Sequence, residues 1–268
     1  HRCATRVALA ARWARLHGAQ LSGLLPTGLY DGSMPADAIV GKGSDFIRQS
    51  AEYLRDRAER VTRAFHRQLD GGEAPACEVR VVDGTAVDAV VLWGRIADLV
   101  VLGQYDRRDS GDMEPTDLPQ RVLMEVGRPV LLVPYAGEFR STPRHVLVTW
   151  DGSRESAVAL RAALPAMRLA ARVTLLHCRP SKSAGEPGVQ LTLPEVQGFL
   201  QRHGVTAQAE DAVTANGIAD TLLSRVSDLG VDLLVMGGYG HSRLRELVLG
   251  GTTRQILRQM TVPVLMAH

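Results

Sequence analysis

The chain has 268 residues, 45% hydrophobic and 22% charged, a globular composition long enough for two ordinary domains or one large one. A net charge of +2 and an aromatic content of 4% argue against nucleic acid, whether bound by a basic field or on a stacking platform. No apolar run nears the roughly 18 residues that span a bilayer, and Cys3, Cys77 and Cys178, odd in number and widely spaced, read as reduced thiols of a cytoplasmic protein.

In chain order, Val7, Leu9, Ala10, Trp13, Ala14 and Leu16 recur among arginines, which predicts a helix from Arg2 to Leu16 with one apolar face. A short strand from Ala19 to Leu25 follows, then a loop to Ser44. Gly41-Lys42-Gly43-Ser44 in that loop lacks the spacing of a phosphate loop and follows no strand, so it is read as a turn. Phe46, Tyr53, Leu54, Val61, Phe65 and Leu69 predict a long helix, stopped by Gly71-Gly72. Strands are predicted over Glu78–Val82, Asp98–Gly103 and Arg128–Pro134, with helices over Ala86–Ala97 and Leu118–Val126 between them. The polar stretch from Tyr135 to Arg144 reads as a linker.

The second half opens with a strand from His145 to Trp150, a turn at Asp151-Gly152-Ser153 with Ser153 as helix cap, and a helix from Glu155 to Ala170 broken near Pro165. Strands follow over Arg172–Cys178 and Val205–Ala212, separated by a helix over Pro194–His203. A helix over Gly217–Leu229 takes Asn216 as its cap. The apolar run Leu233–Met236 has the length of a buried parallel strand. Thr252–Met260 reads as the last helix and Val262–Ala267 as the last strand.

The halves repeat. Asp98–Gly103 parallels Asp232–Gly237, Arg128–Val133 parallels Val262–Ala267, and Ala19–Leu25 parallels Arg172–Cys178. Strand and helix alternate in each, which predicts parallel sheets with right-handed crossovers. The first-half counterpart of Asp151 would fall before His1, so the expectation is that the first domain's opening strand is not in this chain.

The run Gly237-Gly-Tyr-Gly240, followed by Gly250-Gly251-Thr252, places glycines at a strand end and again at a helix start. Glycine at a strand end permits φ > 0 and close approach to a ligand. A helix start offers outward N–H groups at the positive end of the helix dipole, suited to phosphate. The spacing Gly237-x2-Gly240-x9-Gly250 resembles the nucleotide signature G-x2-G-x9-G-[ST] of the universal stress protein family, with Gly251 where the family has Ser or Thr. With Val146–Ser153 and Val262–Met266 beside that signature, the whole chain resembles a tandem universal stress protein: a degenerate domain over 1–137 and a nucleotide-binding domain over 143–268.

The resemblance implies an α/β fold of two doubly wound parallel-sheet domains with strand order 3-2-1-4-5. It implies ATP, alone or with Mg²⁺, as ligand. Thr149 and Asp151 close the first strand of the site, Asp151 facing adenine and ribose, and Cys178 offers backbone groups to the adenine. Gly237 and Gly240 pass close to ribose and phosphates, and Gly250, Gly251 and Thr252 hold phosphates through N–H groups. It further implies an intramolecular pseudo-dimer in which the last strands, near Val130 and Val264, pair edge to edge, and it leaves open a homodimer beyond that. In the first half, Gln104 to Asp117 holds no G-x2-G and many acids, so no ATP is expected there.

His241, Arg243 and Arg245 read equally as phosphate donors or as a solvated basic loop. His177-Cys178 lacks further ligands at metal spacing. No Ser-His-Asp, Cys-His or G-x-S-x-G arrangement is present, so no catalytic residue is assigned. Three functions follow: a nucleotide-binding regulatory protein, a slow ATP hydrolase using the stretch from His241 to Glu246, or a stress-induced interaction module that binds no nucleotide.

Overall fold

The structure, a computed structural model, describes residues 2–26, 56, 58–67, 76–105, 117–139, 142–180, 191–214, 217–240 and 251–268. The turn at Gly41–Ser44, the basic stretch at His241–Glu246, Asn216 and Gly250 lie outside the described residues. The chain divides into two compact units. One takes in His1–Ile96 and Arg107–Val126, the other Ala97–Asp106 and Gly127–His268.

The smaller unit is built from α1 (Arg2–Leu16), β1 (Leu21–Pro26), α2 (58–67), β2 (Cys77–Val82), α3 (Ala86–Gly94) and α4 (Leu118–Glu125). β1 and β2 pair in parallel from Leu21–Cys77 to Pro26–Val82. The apolar face of α1 supplies Val7 and Ala11 to a core with Phe65, against which Leu21, Cys77 and Val79 pack. α3 starts at Thr85, whose hydroxyl accepts the Asp88 N–H at 3.1 Å.

The larger unit holds β3 (Val100–Gly103), β4 (Val130–Val133), β5 (His145–Thr149), α5 (Arg154–Ala162), α6 (Leu164–Leu169), β6 (Arg172–Pro180), α7 (Leu193–Arg202), β7 (Gln208–Thr214), α8 (Ile218–Asp228), β8 (Leu233–Gly237), α9 (Gly251–Gln259) and β9 (Val264–Ala267). These strands form one sheet in the order β3-β4-β9-β8-β5-β6-β7. β7-β6-β5-β8-β9 are mutually parallel and follow the predicted 3-2-1-4-5 order. β4 joins β9 antiparallel, with Leu131 opposite Leu265, so the two last strands pair edge to edge. β3 is parallel to β4, and among the described residues no other strand pairs with β3.

The sheet is covered on both faces, and its central strands are therefore continuous apolar runs. β4, β8 and β9 expose almost nothing: Val130, Leu131, Leu132, Leu233, Val235, Val264 and Met266 are fully or nearly fully buried. Two element ends follow from single residues. Pro165 stands at the start of α6 and breaks the predicted long helix at Ala163. Asp232 sits where β8 begins, and its Oδ2 accepts the N–H groups of Arg144 and His145, each at 2.9 Å. Two expectations are corrected. The N-cap of α8 is Gly217, with φ 106, and not Asn216. β6 runs on to Pro180, because its ladder with β7 continues to Thr214. No helix among the described residues is long and apolar enough to cross a membrane.

Candidate functional site

β5, β6, β8 and β9 are parallel, so their C-terminal ends share one edge of the sheet. From β5 the chain moves outward to β6 and β7, then returns to β8 on the other side of β5. The order therefore reverses between β5 and β8. At such a point the following helices leave on opposite faces and open a crevice at the carboxyl ends of the strands. Thr149, Asp151, Cys178, Gly237 and Gly240 belong to this edge, with Gly251 and Thr252 opening the helix that follows β8.

At the end of β5, Thr149 is the last ladder residue, opposite Leu176. The chain then turns through Asp151 and Gly152, whose φ of 77 suits glycine. Asp151 Oδ1 accepts two hydrogen bonds from Ser153, from the N–H at 3.0 Å and from Oγ at 2.6 Å. The Ser153 Oγ in turn accepts the Ser156 N–H at 3.0 Å and caps α5, as the sequence predicts. Asp151 remains exposed, and its Oδ2 makes no hydrogen bond among the described residues. A carboxylate oxygen held in this way, beside a rigid turn, is suited to accept hydroxyl donors.

Cys178 lies on β6, past the end of the β5 ladder. Leu176 accepts the Trp150 N–H at 2.9 Å, so the polar groups of Leu176 point toward β5. Alternation along a strand turns the N–H and C=O of Cys178 to the same side, over the Asp151 turn. Its side chain takes a different direction. Burial pushes the thiol above its ordinary range, opposed by a hydrogen bond with Thr221 and the charge of Arg225, both on α8. His177 points to the opposite face, where its Nδ1 lies 3.3 Å from Asp211. The adjacent pair therefore cannot close on one metal ion, and no group of three or more metal-ligating residues exists among the described residues.

The glycine run at the end of β8 is shaped differently from the sequence expectation. Gly237 and Gly240 do not carry positive φ; the left-handed residue is Tyr239, at φ 56. Gly237 is needed for space instead. A Cβ there would stand 2.7 Å from the Ser156 nitrogen and 2.9 Å from the Glu155 carbonyl carbon, both in the first turn of α5. A Cβ on Gly240 would lie 3.5 Å from the Glu155 Oε2 and 3.5 Å from the Ser153 Oγ. Gly237 and Gly240 thus lie against the capped start of α5.

Sequence reasoning missed three residues that the structure brings here. The Glu155 side chain, 13% exposed, places a carboxylate against Gly240. Tyr239 is buried, and burial raises its phenol above the ordinary value. Thr253, also buried, accepts the Tyr239 N–H on Oγ1 at 3.1 Å. The one available signal was the second hydroxyl of Thr252-Thr253, which the glycine spacing left unassigned.

The start of α9 differs from that of α5. Its first turn holds no acidic residue, and Gly251 is exposed, with no atom of the described residues within 4 Å of a Cβ placed on it. Because α5 is closed by Ser153 and Glu155, α9 is the helix start of this pair better suited to an anion.

The profile of the Universal stress protein family matches residues 142–268, the stretch that supplies every residue just described. The universal stress protein Slr1230 of Synechocystis sp. is 32% identical over 147 residues, 54% of this chain and 49% of that relative, so the match spans about half its length. The universal stress protein YxiE of Bacillus subtilis is 30% identical over 147 residues, 46% of this chain and 97% of YxiE. Over 98% of this chain the fold is similar to the crystal structure of a universal stress protein from Archaeoglobus fulgidus, at a TM-score of 0.71, 14% identity and 90% coverage of that structure. With nearly all of YxiE matched and the strand order of its second half in hand, the chain belongs to the universal stress protein family.

Proposed function

We propose that this chain is a cytoplasmic regulatory protein that binds ATP, alone or with Mg²⁺, in the crevice between the ends of β5 and β8, and that the bound nucleotide alters its association with partners. The observation that carries the reading is the meeting at a topological switch point of the Asp151 Oδ2, the Cys178 backbone and the glycine run at the end of β8, with α9 beginning on a first turn free of acids. Asp151 would accept the ribose hydroxyls, Cys178 would meet the adenine edge with its backbone, and Gly250, Gly251 and Thr252 would meet the phosphates. Phosphates would run toward α9, since the start of α5 is already capped by Ser153 and carries Glu155, paired with Arg154 at 3.3 Å, in its first turn.

The first half would be a second, degenerate copy that binds no ATP. Gln104 stands there where Gly238 stands in the second half, and its amide nitrogen and oxygen are each hydrogen-bonded within the protein. The antiparallel β4–β9 pair would do within one chain what a dimer contact does between two. A second reading, an interaction module that holds no nucleotide, draws on Glu155 beside Gly240 and on Gly251 in place of a hydroxyl residue.

Mass spectrometry of small molecules released from the purified protein, followed by calorimetric titration with ATP, separates the two. The first reading expects adenine nucleotide or a binding isotherm that Asp151→Ala weakens. No released nucleotide and no heat or thermal shift at millimolar ATP would leave the second.

A further inference from the structure

We infer that Thr253 is the positioning residue for the phosphate end of this site: its hydroxyl, by accepting the Tyr239 amide, fixes the start of α9 against the end of β8. The inference rests on the ATP reading above. Tyr239 and Thr253 are 14 positions apart and flank the second part of the glycine signature, one before it and one after. Both are buried, at 6% and 4% exposure, so the 3.1 Å bond between them is not traded with solvent. Tyr239 is held at φ 56, a conformation an aromatic residue rarely adopts and one that persists only when its surroundings impose it. Thr253 Oγ1 is the acceptor that meets its amide there.

The consequence follows from Gly251. A Ser or Thr at that position could follow a phosphate by rotating its hydroxyl. Glycine leaves recognition at this position to main-chain N–H groups, whose direction depends on how the helix is set. Among the described residues, the bond from the Tyr239 amide to Thr253 ties the first turn of α9 to the end of β8, while Gln255 and the buried Ile256 hold the helix further along. The nucleoside end would be met by Asp151, in the turn after β5, and by Cys178 on β6, neither of which belongs to α9. Thr253 should therefore govern how much the phosphates add to binding and leave the nucleoside contribution alone.

The test is calorimetric titration of the full chain with ATP and with adenosine, for the wild type, Thr253→Val and Thr253→Ser. Valine keeps the shape and removes the acceptor; serine keeps the acceptor. Thr253→Val is expected to weaken ATP by about tenfold, the loss of one hydrogen bond of ordinary strength, and adenosine by no more than about twofold. Thr253→Ser is expected to bind both ligands within about twofold of the wild type. Should Thr253→Val not fold, Thr253→Ala carries the same comparison, since it leaves room for water at the Tyr239 amide. Equal losses for ATP and adenosine, unchanged ATP affinity in Thr253→Val, or no recovery in Thr253→Ser would each overturn the inference while leaving the ATP reading standing. A wild type that binds no ATP would overturn both.

Discussion

Gly237 and the amide nitrogen of Ser156 leave no room between them: a Cβ on Gly237 would stand 2.7 Å from that nitrogen. The obstacle is the backbone of the first turn of α5, locked by the Ser153 cap, so it cannot swing aside as a flexible side chain would. Gly237→Ala should therefore lower stability by about 2 kcal/mol, as overpacking of a dense site does. Gly251→Ala is the control, since among the described residues its Cβ meets nothing within 4 Å; it should stay within about 0.5 kcal/mol of the wild type. Urea denaturation of both variants gives the comparison, and a neutral Gly237→Ala would contradict this packing.

A second prediction concerns the contact between the end of β3 and α9. Gln104 Nε2 donates to the Leu257 carbonyl at 3.0 Å, and its Oε1 accepts the Tyr135 N–H at 3.0 Å. Leu257 lies in the last turn of α9, where carbonyls have no partner within the helix. One side chain from the end of β3 thus satisfies a helix end and a strand exit together. Gln104→Leu keeps much of the volume and loses both bonds, which should cost about 2 kcal/mol. Hydrogen exchange should show the added opening at Tyr135 and along α9, and unchanged protection there would argue against the role.

These two cases mark the boundary of what could be read from the chain itself. Strand order, the break at Pro165 and the Ser153 cap were legible because each depends on local pattern or on the alternation of strand and helix. The reason for Gly237 was not. The residue was expected to supply a positive φ, whereas the left-handed turn falls on Tyr239 and Gly237 answers to α5, far upstream in sequence. Gln104 and Leu257 are separated by 153 positions, a pairing no periodicity encodes. Thr253 was passed over because its partner is a backbone amide across the loop. Contacts between elements distant in sequence decide these residues, and composition carries no trace of them.

A third prediction isolates the Asp151 turn. The Ser153 hydroxyl donates to Asp151 and accepts from Ser156, so one oxygen both caps α5 and fixes the carboxylate. Ser153→Ala removes both and should cost about 1–2 kcal/mol, the usual loss of a good N-cap. Ser153→Thr keeps both functions and should recover most of it. If Asp151 serves as the ribose acceptor, Ser153→Ala should also weaken ATP while Ser153→Thr does not, measured by titration. Unaltered stability in Ser153→Ala would show that the cap contributes little.

The last prediction is a pH dependence. Burial raises the Cys178 thiol above its ordinary value near 9, outweighing the hydrogen bond with Thr221 and the charge of Arg225. The folded state therefore holds the thiol proton more tightly than the unfolded chain. Its contribution to stability is complete below the ordinary thiol pKa and is lost as pH rises through the higher folded value. The Tyr239 phenol, raised for the same reason from 10.0, adds a loss of the same sign further into alkali. Urea midpoints measured from pH 8 to pH 11 should decline, and Cys178→Ser should decline less above pH 9, because it removes the thiol and leaves the phenol. The same raised thiol predicts slow alkylation by iodoacetamide at pH 7, since the thiolate is the nucleophile and burial keeps it scarce. A Cys178 that reacts as fast as a free peptide cysteine, with midpoints independent of pH in this range, would show that the side chain is not held against α8 as described.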